Sequence, residues 1–218
     1  MKRFKNEQFK LVIEQDECPF DPRGNDNLTK MVCFHRNYNL GDKHDYKQSN
    51  YSNWDELKAD IMRNEKPAVI KPIRMYDHSG IGISTDANSY PYNCPWDSMW
   101  IGFLFITKET MRKEYDIKNV TNKWVEKADI MLELEVAEYN QYLSGDVYHF
   151  QLENLITGET DSCSNFYGYN DFWNNGMVDH IGEEAVNSLR TLLEAEFGAE
   201  PIPVVDMDKV GQAIDKLF

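Results

Sequence analysis

Long apolar runs are missing from this 218-residue sequence. The opening stretch MKRFKNEQFKLVIEQDE alternates polar with apolar residues, so it reads as neither a secretory signal nor a membrane anchor, and the chain is expected to be soluble and cytosolic. Cysteine is scarce as well. Cys18, Cys33, Cys94 and Cys163 show no C-x-x-C spacing, which argues against a disulfide framework and a paired-cysteine zinc site and favours reduced thiols. The familiar catalytic signatures are also missing: there is no G-x-S-x-G elbow, no helical H-x-x-x-H pair and no G-K-[ST] phosphate loop, and GIGIS is too short to cradle a phosphate. No internal repeat, low-complexity tract or Gly/Ser linker marks a domain boundary.

Positive charge is the most telling shortage. Residues 1–120 carry 18 basic and 18 acidic side chains, whereas residues 121–218 carry 5 and 19, so the whole net charge of −14 arises in the second part. Tracking of a phosphate backbone by that part is therefore disfavoured, and a basic partner is favoured. What is present in quantity is aromatic: 13% of residues, with 41% hydrophobic and 28% charged, enough to build a core.

Local patterns divide the chain into short strands and helices. Alternation at 9–15 and an apolar run at 31–34 predict two early strands. Asn53, Trp54 and Glu56 resemble a capping box, and Trp54, Leu57, Ile61 and Met62 then share a helical face that Pro67 ends. Strands are predicted at 68–76, at GIGIST and at 99–107, with the aromatic loop DANSYPYNCPWDS between the last two. A short helix follows at 108–115. The longest period runs through Val125, Ala128, Leu132, Val136, Tyr139 and Leu143 to Gly145, a C-terminal cap. A hairpin turning at TGET comes next, then helices at 183–197 and 209–218 separated by Pro201 and Pro203. Without a regular βαβ rhythm, the expected fold is α+β: a mostly antiparallel sheet packed by the long amphipathic helix. We expect a core domain over 1–170 and a C-terminal helical extension, 171–218, packed on it.

The stretches NDNLTKMVCFHRNYNLGDKHD, IRMYDHSGIGIST, NCPWDSMWIGFLFITKE, EVAEYNQYLSGDVYHFQLE and ETDSCSNFYG occur in this order over roughly 20–170. Together they resemble a family of uncharacterised proteins of bacteriophages, plasmids and other bacterial mobile elements. The resemblance implies no established activity. It does imply an accessory protein working in a host bacterial cell, where such proteins often act on host defence, replication or expression machinery.

Three sets of residues are candidates for function. His35, Asp42, His44, Asp77 and His78 are of types that ligate Zn, Mn or Fe, so a divalent metal with hydrolase or nuclease chemistry is one reading, with Arg36 and Arg74 holding phosphate. Against it, DHSG and the LGD turn read equally as loop residues bonding to their own backbone. Cys33 and His35, two apart on a strand, share a face as a thiolate–imidazole pair would, although a buried cysteine is the commoner case. Ser79 beside His78 and Asp77 has the residue types of a triad without its geometry. Tyr90, Tyr92, Trp96 and Trp100 form the second set, with Trp96 and Tyr92 the candidates for stacking a nucleotide base over the DHSG turn. The third set is acidic: Glu126, Asp129, Glu133 and Glu138 on the long helix, with Glu183 and Glu184 further on. A solvated face is its plain reading; a surface that meets a basic host protein, blocking a defence enzyme's nucleic-acid channel, is the functional one. On that leading reading the protein is not an enzyme, needs no cofactor, binds no membrane, and its acidic half does not bind nucleic acid directly.

Overall fold

A computed structural model describes residues 1–24, 27–78 and 80–201. The helix expected at 209–218 and the serine at position 79 lie outside the described residues. In chain order the strands are β1 (Lys2–Lys5), β2 (Phe9–Gln15), β3 (Lys30–Cys33), β4 (Pro67–Asp77), β5 (Ile81–Ser84), β6 (Ser98–Thr107), β7 (Val147–Asn154) and β8 (Thr160–Tyr167). The helices are α1 (Trp54–Asn64), α2 (Lys108–Glu114), α3 (Asn122–Ser144), α4 (Met177–Ile181) and α5 (Glu183–Phe197). The fold is α+β, with every strand pair antiparallel.

The chain forms two compact units, Met1–Glu17 with Val147–Phe218 and Cys18–Asp146. The second unit is thus inserted between β2 and β7 of the first. Its entry and exit lie side by side, where the Asp16 amide donates to the Val147 carbonyl at 2.8 Å. Both crossings are continuous with strand ends, so no flexible linker announces them. The expected boundary near 170 is not one of these crossings, because α4 and α5 pack on the sheet that ends just before it.

In the first unit the strand order is β1-β2-β7-β8. Alternation puts Phe4, Phe9, Leu11, Ile13, Phe150 and Phe166 on one face, where the α5 stripe of Ala185, Val186, Leu189 and Leu193 covers them. In the second unit the order is β3-β6-β4-β5. One face carries Met31, Ile73, Met75, Ile83, Leu104 and Ile106 against Ala128, Leu132, Val136 and Tyr139 of α3. The other face carries Val32, Phe103 and Phe105 against Leu57 and Ile61 of α1. Burying both faces explains why β6 reads as a continuous apolar run.

Local chemistry fixes the ends of these elements. The Asn53 side chain accepts from the Glu56 amide at 2.9 Å, and the Glu56 carboxylate accepts from the Ser52 amide at 2.7 Å, closing the start of α1. Gly145 ends α3 at φ 72°, a left-handed conformation that costs a residue with a Cβ. Pro72 lies within β4, but β5 pairs only with Arg74–Asp77, so β4 is an edge where that proline sits. On β6, a Cβ at Gly102 would come within 1.8 Å of the Val32 carbonyl oxygen, so only glycine permits this approach of β3.

Candidate functional site

The His and Asp cluster resolves into separate structural tasks. Both Asp42 oxygens are taken by Arg23, Nε to Oδ1 at 2.8 Å and Nη2 to Oδ2 at 2.6 Å. Asp42 Oδ2 also accepts from the Met31 amide at 2.7 Å, while the Asp42 amide donates to the Met31 carbonyl at 2.9 Å. Asp42 therefore clasps the outer edge of β3. His44 continues that edge, with Nε2 3.1 Å from the Cys33 carbonyl. Because a carbonyl only accepts, the proton sits on Nε2, and the buried Nδ1 has no partner among the described residues. His35 is committed differently: its Nδ1 accepts from the Asn37 and Tyr38 amides, both at 3.2 Å, and its ring stacks on Tyr38.

Asp77 and His78 stand at the far end of β4. The Asp77 amide donates to the Asp97 carbonyl at 2.8 Å, and His78 Nδ1 lies 3.5 Å from Asp97 Oδ1. His35, Asp42 and His44 line one cleft of about 360 Å³, and neither Asp77 nor His78 borders it. Among the described residues no group of three or more His, Cys, Asp and Glu side chains is arranged to hold a metal ion. The thiolate–imidazole pairing is not formed either: Cys33 is buried, and burial, reinforced by the Asp42 charge, pushes its thiol up to about 12 despite nearby Arg23.

Arg23 is the centre of this region. Its side chain is only 2% exposed and reaches Glu135 on α3 at 2.6 Å and the Thr29 carbonyl at 3.0 Å. The Thr29 hydroxyl donates to the same Glu135 oxygen. Burial alone would lower the guanidinium pKa, but the hydrogen bonds and charges of Asp42 and Glu135 prevail and hold it above its ordinary value. A cation locked between two carboxylates pins the segment before β3 to α3. Sequence reasoning missed it, since Glu135 is 112 positions away.

The acidic candidates divide by role. Asp129 and Glu133 both accept from Lys71 Nζ of β4 at 2.8 Å, so they tie α3 to the sheet. Burial works to lower the Lys71 ammonium pKa, but these two carboxylates overcome it and raise it. Glu126 and Glu138 are exposed and have no ion pair among the described residues. Crowding around the Glu138 carboxyl and the negative charge of Glu135 lift its pKa, with Arg23 opposing. Glu183 and Glu184 belong to the other unit, in the first turn of α5, where carboxylates oppose the helix dipole; Glu184 accepts from Gln8 Nε2 at 2.8 Å.

Between Glu126 and Glu138 the outward face of α3 carries a short apolar stripe bordered by exposed Lys127 and Glu133. Ile130 is 57% and Leu134 65% exposed, and Ala137 continues the stripe one turn on. Their i, i+4, i+7 spacing was visible in the sequence but is eclipsed by the stronger buried stripe. Exposed branched side chains aligned on one helix face make a small apolar patch on that surface.

The aromatic loop splits as well. Tyr92 turns inward, and a Cβ at Gly82 would come within 2.9 Å of its hydroxyl. Trp96 is 90% and Tyr90 80% exposed. Trp100, on β6, lies under the guanidinium of its cross-strand neighbour Arg74, 5.3 Å from ring centre to Cζ. No family model matches the chain, nor does any curated protein or solved structure.

Proposed function

We propose that this protein works by binding: the outward face of α3 docks a basic surface of a host protein, in keeping with an accessory role in a phage or other mobile element. The observation that carries this reading is the exposed Ile130–Leu134–Ala137 stripe with the unpaired carboxylates Glu126 and Glu138 at its flanks. Apolar contact at the centre supplies affinity, while the charged rim steers encounter and sets partner choice. From Ala128 to the end of α3 there is no basic residue, so the C-terminal part of the face favours a cationic partner, while Lys123 and Lys127 lie in the first two turns. Obstruction of the nucleic-acid channel of a defence enzyme is the specific action that fits a cytoplasmic, acidic inhibitor. Catalysis receives less support, because Asp42, His35 and His44 are already spent on Arg23 and on backbone.

Capture from host bacterial lysate at about 50 mM and 500 mM salt, using the intact chain and an Ile130→Ser, Leu134→Ser variant, tests the reading. A partner retained at low salt, weakened at high salt and lost with the double variant is expected. A partner whose capture is indifferent to those substitutions and to Glu126→Gln with Glu138→Gln removes α3 as the docking face. Lys71→Gln, which releases Asp129 and Glu133, should accelerate association at low salt.

A further inference from the structure

The face of the second sheet that α1 covers is covered only in part. Alternation along β4 puts Lys71, Ile73 and Met75 toward α3 and Ile70, Pro72, Arg74 and Tyr76 on the opposite face. Ile70 lies with the apolar cluster under α1. Further along, Arg74 sits between Ser84 and Trp100 and Tyr76 pairs with Ser98, with no residue of the α1 cluster among them.

Arg74 is unusual there. Its Nη2 makes one long bond to the Ser98 carbonyl at 3.3 Å, and its Nε is buried without an acceptor among the described residues. No carboxylate pairs with it among the described residues. A charge-bearing donor group held on an indole face and lacking an anion is a receptor already in position, since stacking fixes its plane and a buried N–H left unbonded is costly.

The neighbouring loop supplies rings on a firm backbone. Amides of Asn93, Cys94 and Ser98 donate to the carbonyls of Ser89, Pro91 and Cys94 at 3.0, 3.0 and 3.2 Å, and the Ser98 hydroxyl donates to the Pro91 carbonyl at 2.8 Å. Tyr90 and Asp97 are close enough to Tyr76 for their charges to raise its hydroxyl pKa, an effect second to desolvation. The Asp97 carboxylate faces His78 at 3.5 Å and receives the Cys94 thiol at 3.6 Å. Trp96 and Tyr90 thus stand exposed on a loop bonded to itself, Trp96 two residues before Ser98, whose carbonyl accepts from Arg74.

We propose that this face binds a nucleoside monophosphate, the base stacking on Trp96 and the phosphate taken by Arg74 on its Trp100 platform. A flat heteroaromatic ring joined to an anion matches both halves of the patch. The site is separate from the α3 face, and neither reading depends on the other.

Titration of the intact protein with AMP, GMP, CMP and UMP, followed by tryptophan fluorescence and calorimetry, tests it. Quenching with micromolar affinity by at least one of the four is expected. Arg74→Gln and Trp96→Ala should each weaken binding by about tenfold while leaving the thermal midpoint unchanged, as loss of a charged hydrogen bond or a stacked ring implies. Inorganic phosphate binding as tightly as the nucleotide, indifference to Trp96→Ala, or no response to any of the four at about 1 mM would each overturn the proposal. Capture of a single-stranded oligonucleotide without any mononucleotide binding would overturn it too.

Discussion

Asn140 on α3 takes the place of a missing strand for Ile83. Its Oδ1 accepts from the Ile83 amide at 2.6 Å, and its Nδ2 donates to the Ile83 carbonyl at 2.5 Å. Both outward backbone groups of β5 at this point are thereby satisfied by one side chain. Asp42 does the same for Met31 at the opposite edge, with its own amide and carboxylate. Unpaired edges invite other chains to add to a sheet, and these two clasps close the second unit against that.

Asn140→Leu should therefore cost about 2 kcal/mol, since it leaves two backbone groups of a buried residue without partners. Asn140→Asp separates hydrogen bonding from packing. An ionised carboxylate still accepts from the Ile83 amide but turns an oxygen toward its carbonyl, so this variant should be weaker at pH 7 than near pH 4, where a protonated carboxyl can donate. Urea denaturation at the two pH values measures it, and equal losses at both would mean the clasp contributes only shape.

Arg23→Met should destabilise the protein by about 3–5 kcal/mol, because it strands Asp42 and Glu135 as unpaired, poorly solvated charges. The triple change Arg23→Met, Asp42→Asn, Glu135→Gln should recover much of that loss, as the three side chains act as one unit. Additive losses in a denaturation series would show that the ion pairs matter singly.

The regular elements were legible because their periods are local. The β2 alternation, the α1 capping residues and the apolar stripes of α3 and α5 stand within a few turns of sequence. β1 was not, since KRFK is four residues with three charges, and α4 is a single turn between two glycines. The insertion of one unit into the other was hidden because its crossings occur at strand ends. The site was less legible still. Arg23 with Glu135 and Asn140 with Ile83 pair across 112 and 57 positions, where no period connects them. The LGDKH stretch shows the limit most clearly: its residue types suit a metal, and only its fold partners reveal that Asp42 and His44 serve the β3 edge.

Cys33 should resist alkylation in the folded protein. Burial and the Asp42 charge push its thiol up to about 12, so at pH 8 almost none is thiolate and access is closed as well. Iodoacetamide followed by peptide mass mapping should find Cys33 unmodified in the native protein and modified once denaturant is added. Native labelling at the rate of a free peptide thiol would contradict the buried position.

Glu138 links stability to binding through pH. Its carboxyl pKa is raised in the folded protein, first by crowding and then by Glu135, so between the ordinary carboxyl value of about 4.3 and its folded value the native state holds the extra proton. Stability from this group is present below that window and is lost as pH rises through it. Glu138→Gln should therefore be stabilising at pH 7 and close to neutral near pH 4, read as the difference in urea midpoint. A lysine or arginine of a partner seated beside Glu138 would lower the same carboxyl, so the complex binds fewer protons than its free components. Association through α3 should then tighten as pH rises through that window in the parent chain, and Glu138→Gln should flatten that dependence. An unchanged pH profile in the variant would remove Glu138 from the contact.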